Sequence, residues 1–211
     1  MTILYPCAIV ELYTIELPVW AIPKGETITA KLHLGDKLPN FEFKNAYGEV
    51  KSVEKDVLGK KTVFWVIRYI GCTICRYDVH VLAQLHEQFK AKGVQIFVVM
   101  QSDPAIVREE LKDAGIPFDI VCDPDMAIYK QFEIPCAADK AELGGNEAQM
   151  ARLQVKGAAA KECGFVHGAY EGDEMQLPAV WVVEADGTLS YCKYAEAVAD
   201  IPTPAELLEI L

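Results

Sequence analysis

The pair of cysteines in Cys72-Thr73-Ile74-Cys75 constrains this chain more than any other feature. It follows an apolar run, Thr62 to Ile67, of buried-strand length, and precedes a helix-like stretch from Arg76 to Lys92. Two cysteines three apart at a strand-to-helix corner can close a small disulfide ring. The first of them sits where a helix N-terminus presents free backbone N–H groups. Those groups and the local dipole favour thiolate over thiol, and the thiolate is the nucleophile. A CxxC beside a β-α-β pattern reads as thiol redox chemistry.

The bulk of the chain narrows the setting. Its 211 residues suffice for one domain with a full core, or one domain plus an extension. A formal charge of −11 argues against a positive stripe for nucleic acid and against attraction to an anionic membrane, so neither partner is expected. The cysteines stand at 7, 72, 75, 122, 136, 163 and 192, and only Cys72 and Cys75 are close in sequence. The rest read as scattered small hydrophobes and not as a disulfide framework, which fits a reducing cytoplasm. Pro6, Glu11, Glu16 and Pro18 interrupt the apolar N-terminus, and the first basic residue is Lys24, so no signal peptide is expected. No uninterrupted run reaches the roughly 18 residues of a membrane-spanning helix.

Residues 1–34 read as a β extension. Ile28, Ala30, Leu32 and Leu34 alternate with polar residues, the period of a half-buried strand, and Ile9 to Leu17 can pair with it through a turn at Pro23-Lys24-Gly25. Such an arm either completes the sheet or packs on a second subunit in a homodimer, and the sequence leaves both open. A new unit begins at Gly35. It opens with a hairpin around Asn45 to Gly48, then the strand at 62–67, the CxxC corner, and a helix with Leu82, Leu85 and Phe89 on one face, closed by Gly93. Next come a strand over Val94 to Met100 and a helix begun by Pro104, capped by Ser102 or Asp103 and ending near Gly115. A strand over Ile116 to Cys122 and a helical piece from Met126 to Phe132 follow. Residues 134–176 read as an insertion with a helix from Glu147 to Cys163. Leu177-Pro178 then leads into an apolar strand, an Asp186-Gly187 turn, a return strand and a last helix from Thr203-Pro204. A β-α-β-α half followed by β-β-α is an α/β sandwich with a mixed sheet.

Four landmarks in this order resemble the thioredoxin-like superfamily. More narrowly they resemble its alkyl hydroperoxide reductase/thiol-specific antioxidant branch, the peroxiredoxin-like family. They are Gly35 to Phe41, Arg68 to Arg76, Cys122-Asp123-Pro124-Asp125 with Tyr129 to Phe132, and Leu177-Pro178-Ala179 before the apolar strand. Together they cover about residues 35–211. The resemblance implies a thioredoxin-like three-layer sandwich with a mixed central sheet, an N-terminal β extension, and an insertion before a cis-proline loop. It implies a thiol oxidoreductase that reduces peroxides or disulfides through a dithiol/disulfide cycle at Cys72 and Cys75. It also implies no bound cofactor, and electrons from a thioredoxin- or glutathione-type donor. Pro178 takes the family's cis-proline place. Leu177, Thr73 and Ile74 are then the residues expected to meet the substrate. The sequence departs from the peroxidase pattern in three respects. If Cys75 is in the peroxidatic position, Cys72 stands where the family has a threonine three residues before it. Tyr69-Ile70-Gly71 lacks the family proline. Ala179 to Tyr194 lacks the family arginine.

Two assignments of the cysteines follow. As a disulfide reductase, Cys72 attacks and Cys75, one helical turn in, resolves the mixed disulfide. As a peroxidase, one of the pair becomes a sulfenic acid and condenses with the other. A protein disulfide reductase without peroxidase activity is the first competing reading, and a non-catalytic thioredoxin-fold module that senses redox state or holds metal is the second. The chain has four arginines, and two of them, Arg68 and Arg76, flank the motif where a guanidinium can stabilise a thiolate. A zinc site from Cys72, Cys75, His80 and His86 is not expected, because Cys75 and His80 lie about 140° apart around one helix. Asp123-Pro124-Asp125 reads as a strand-end turn with a helix cap, and Trp65 as core. Cys136 and Cys163, in the insertion, are candidates for a remote resolving thiol.

Overall fold

The central strand of the protein is Lys61–Val66 (β3), buried along nearly its whole length. In the computed structural model, which describes residues 30–211, β3 pairs in parallel with Val94–Met100 (β4) and antiparallel with Ala179–Val183 (β6). Asp119–Cys122 (β5) and Leu189–Tyr194 (β7) add the outer strands, giving the order β5-β4-β3-β6-β7. A separate hairpin, Glu42–Lys44 (β1) with Val50–Ser52 (β2), packs beside this sheet. The helices are Thr73–Ala91 (α1), Pro104–Leu111 (α2), Ala127–Gln131 (α3), Lys140–Gly144 (α4), Glu147–Glu162 (α5) and Pro204–Ile210 (α6).

Strand alternation builds two cores from one sheet. Val63, Trp65 and Val98 join Leu82 and Phe89 of α1 and Leu207 of α6 on one face. Phe64, Val66, Phe97 and Trp181 meet Phe41, Phe43 and Phe132 on the other. The second face is an aromatic stack; the Phe43–Phe97 and Phe41–Phe132 centroids are each 5.1 Å apart, edge to face. Parallel β3 and β4 are joined by the crossover helix α1, which with α6 covers one face, while Phe41, Phe43 and Phe132 cover the other, so both strands are mostly apolar. The three-layer sandwich expected from the sequence is therefore present. No described helix is long and apolar enough to cross a membrane.

Several boundaries differ from the sequence reading. The described part of the expected extension strand, residues 30–34, is not a strand: Leu32 is buried while Ala30 and Leu34 are exposed. Its N–H groups reach different elements, Ala30 to the Gln131 carbonyl (2.9 Å) and Leu32 to Tyr194 Oη (2.9 Å), instead of one neighbouring strand. The pairing segment Ile9 to Leu17 lies outside the described residues. The α2 helix stops at Leu111, and β5 starts only at Asp119. Asp103, not Ser102, caps α2, its Oδ1 accepting the Ala105 N–H at 2.7 Å. The insertion leaves and rejoins the core at one point, where Cys136 bridges Gln176 and the Leu177 N–H donates to the Pro135 carbonyl (3.0 Å). Within it, Asn146 and Gln149 form a reciprocal cap that starts α5.

Candidate active site

Between β3 and α1 the chain turns a corner fixed by the end of β4. The Arg68 carbonyl accepts the Gln101 N–H (2.9 Å), and the Ile70 N–H donates to Ser102 Oγ (2.8 Å). This places Cys72 as the N-cap of α1, where a serine or aspartate oxygen more often accepts from the first turn. Its Sγ receives the Cys75 N–H at 3.4 Å and Arg68 Nη2–H at 3.0 Å. The other end of the same guanidinium, Nη1, donates to the Glu174 carbonyl at 2.7 Å.

These contacts split the two thiols. Burial alone would push the Cys72 thiol up. Hydrogen bonds from Cys75 and Arg68 and the Arg68 charge more than offset it, and the pKa falls to about 6. Burial and the neighbouring Cys72 sulfur hold Cys75 well above the ordinary thiol range. Burial raises the other thiols that shift: Cys122 to about 12, and Cys136 and Cys192 each to about 11. Cys72 is the one whose thiolate is favoured.

A segment of the insertion covers the corner. The Gly168 N–H donates to the Gly71 carbonyl (2.8 Å). The Gln101 side-chain amide pairs in both directions with the Asp173 backbone, at 2.8 Å each. Ser102 Oγ donates to Glu171 Oε1 (3.0 Å). Under this cover Cys72 is 1% exposed and Cys75 4%. Gly71 is required by the closeness of the cover, because a Cβ there would overlap the Ala169 carbonyl oxygen. Gly71→Ala is expected to cost about 1–3 kcal/mol and to lift the cover. Urea melts should show the loss, and iodoacetamide should alkylate Cys72 faster. Unchanged stability and alkylation would show that the segment is not fixed at this contact.

The structure brings Cys72, Cys75 and Arg68 together and leaves other expected residues elsewhere. Arg76 does not face the sulfurs. Its guanidinium pairs with Glu110 of α2 at 2.7 Å and lies over the Phe165 ring. The Leu177–Pro178 bond is trans, as are all peptide bonds among the described residues, so Pro178 is not a cis-proline. Its backbone is not free for a substrate either. The Pro178 carbonyl accepts the Ala195 N–H (3.0 Å), and the Leu177 carbonyl accepts the Gln176 side chain (3.0 Å). Ile74 and Leu177 belong to the core under α1 and present no substrate surface, whereas Thr73 is half-buried in the first turn. His80 packs on Phe165 and His86 on Phe118, apart from the cysteines. Asp123 accepts the Ala127 and Ile128 N–H groups at 2.9 and 2.7 Å and so starts α3 as a cap. Cys136 sits at the base of the insertion and Cys163 at the C-cap of α5, both exposed. Sequence reasoning missed Gln101, Ser102 and the Glu171–Glu174 segment. The only local signal is a pair of polar residues directly after the apolar run of β4, which does not name their partners.

The model of the AhpC/TSA family matches residues 34–192. Peroxiredoxin Q, chloroplastic, of Populus jackii is 26% identical over 109 residues, which is 52% of this chain and 51% of that protein. The chain thus spans about half the length of the curated relative it matches. Among solved structures, peroxiredoxin 6 of Arenicola marina superposes with a TM-score of 0.63 at 15% identity, covering 85% of this chain and 71% of that one. A Chlorobium tepidum protein assigned as the thiol:disulfide interchange protein DsbE does so at 0.56 and 17%, covering 85% and 95%. These two likenesses carry the thioredoxin-like fold, and the family match carries the membership: this chain belongs to the AhpC/TSA family.

Proposed function

We propose that this protein runs a dithiol/disulfide cycle in which Cys72 is the nucleophile and Cys75 the resolving thiol. The observation that supports it most is the Cys72 sulfur at the N-cap of α1, held by Arg68 at 3.0 Å and by the Cys75 N–H. With a disulfide, the Cys72 thiolate attacks one sulfur and expels the other as thiolate. Cys75 then loses its proton, attacks Cys72 Sγ and releases the second thiolate. With a peroxide, the thiolate attacks one oxygen, the O–O bond breaks, and the other oxygen leaves as hydroxide or alkoxide and takes a proton from solvent; the sulfenic acid then condenses with the Cys75 thiol, forming the S–S bond and losing water. Arg68 favours the peroxide reading as well, because its N–H groups can meet the developing oxyanion. A thioredoxin- or glutathione-type donor in a reducing compartment such as the cytoplasm would return the dithiol.

Stopped-flow tryptophan fluorescence of the reduced protein, with hydrogen peroxide and separately with a small disulfide, tests this. Buried Trp65 on β3 lies a few residues ahead of the motif and is the reporter. Cys72→Ser is expected to abolish the fast phase with every oxidant. Cys75→Ser should keep the first attack and stall as a mixed disulfide or sulfenic acid, visible by mass. Loss of the first attack in Cys75→Ser, with retention in Cys72→Ser, would reverse the assignment. The oxidant that reacts far faster than with a free thiol names the substrate class.

A further inference from the structure

We infer that the hollow beside Arg68 is a recognition subsite for a small disulfide carrying an α-amino acid head, of cystine or short-peptide type. The inference rests on the dithiol cycle proposed above and specifies its substrate. The hollow holds about 250 Å³ and is walled by Arg68, Lys140, His167, Tyr170, Glu174 and Met175. That is several times what a water-sized peroxide needs, at about 30 Å³ per water. It is just under the roughly 300 Å³ at which drug-sized sites begin. One compact organic head group fits it, and a folded protein surface does not.

The charges select the head group. Lys140 and Glu174 line the same hollow, and neither pairs with an opposite charge among the described residues. Arg68 is already committed to Cys72 Sγ and to the Glu174 carbonyl. One unneutralised cation and one unneutralised anion suit a zwitterion. Its carboxylate meets Lys140 and its ammonium meets Glu174. The His167 and Tyr170 rings, with centroids 4.3 Å apart, supply an aromatic wall for the ammonium. Met175 is a soft apolar contact for the methylene and sulfur.

Arg68 stands between the hollow and Cys72, which is 1% exposed. The substrate's sulfur therefore reaches Cys72 when Arg68 lets go of the Glu174 carbonyl and swings aside, the walls of the hollow staying in place. The exchange balances: the Cys72 thiolate, the Cys75 thiol and one disulfide give the Cys72–Cys75 disulfide and two small thiols, one leaving thiolate taking up the Cys75 proton and the other a proton from solvent.

Four small disulfides test the inference: zwitterionic cystine, cationic cystamine, anionic 3,3′-dithiodipropionate and neutral hydroxyethyl disulfide. Each oxidation rate of the reduced protein at pH 7 is divided by the rate of the same disulfide with free mercaptoethanol, which removes leaving-group differences. Cystine is expected to lead by roughly tenfold, the scale of two exposed charge contacts. Lys140→Glu should transfer the lead to cystamine, and Glu174→Lys to dithiodipropionate. Fast but equal rates, within about twofold, would overturn the subsite and leave the dithiol cycle standing. Rates no faster than the free thiol for all four would overturn both.

Discussion

Replacing Arg68 by methionine is expected to move the midpoint of the Cys72 alkylation profile from about pH 6 to at least the ordinary thiol value of about 8.5. Burial pushes this thiol up, and Arg68 supplies both a charge and a 3.0 Å hydrogen bond against it. Methionine keeps the bulk and removes both. At pH 7 the thiolate share should fall roughly 30-fold. The more basic sulfur regains up to about tenfold in intrinsic nucleophilicity, so the midpoint and not the rate is the reading. Arg76→Gln is the control. Its guanidinium is held by Glu110, and its profile should stay near 6. An unmoved midpoint in Arg68→Met would remove Arg68 from the site's electrostatics.

The same contact links redox state to pH. A thiolate stabilised in the reduced form makes the disulfide the stronger oxidant, so Arg68→Met should shift the couple toward a more reducing potential. Stability follows the depressed pKa. The Cys72 contribution is whole above the ordinary thiol pKa and is lost as pH falls through about 6. Cys75, raised by burial, acts in the opposite sense: its contribution is present below the ordinary value and lost as pH rises through its folded pKa. The reduced protein should therefore be best stabilised by this pair near the ordinary thiol pKa, and Arg68→Met should lose that maximum.

What the sequence made legible was what local pattern and short spacing encode. The apolar run before Cys72 could only be a buried strand, and the CxxC then had to stand at the start of a helix. Of the two arginines, spacing could not say which one reached the sulfur. Position 68 lies on the loop that folds back over Cys72, whereas position 76 is one turn further along α1 and faces α2. The Pro178 expectation came from resemblance alone, and the bond is trans. The Leu177 N–H donates to the Pro135 carbonyl and the Pro178 carbonyl accepts from Ala195, so the backbone there is used within the fold. The cover over the site was illegible because it depends on residues about 70 positions apart, Gln101 with Asp173 and Ser102 with Glu171. No local period marks such pairs.

Lys156→Met should cost about 3–5 kcal/mol at pH 7, the penalty for leaving a buried charge without its partner. Lys156 Nζ lies 2.6 Å from Asp78 Oδ2, with side chains only 13% and 4% exposed. Asp78 is on α1, one turn beyond Cys75, and Lys156 is on α5, so the pair ties the insertion to the redox helix. Ala160 is the only fully buried residue of α5, with Leu153 partly buried against the same core. Burial raises the Asp78 carboxyl above its ordinary pKa, and the Lys156 charge holds it partly down. A raised carboxyl gives stability that is present at low pH and is lost as pH rises through its folded pKa. Without Lys156 that pKa climbs further. The deficit against wild type, read from urea melts, should therefore shrink between pH 7 and pH 5. Asp78→Leu with Lys156→Met should recover most of the loss, since a matched apolar pair removes both desolvation costs. A single variant within about 0.5 kcal/mol of wild type at pH 7 would show the pair to be energetically idle. Because α5 leads directly into the segment that covers Cys72, Lys156→Met should also alkylate faster at that sulfur while its profile midpoint stays near 6. That combination separates loosening of the cover from a change in the site's own electrostatics.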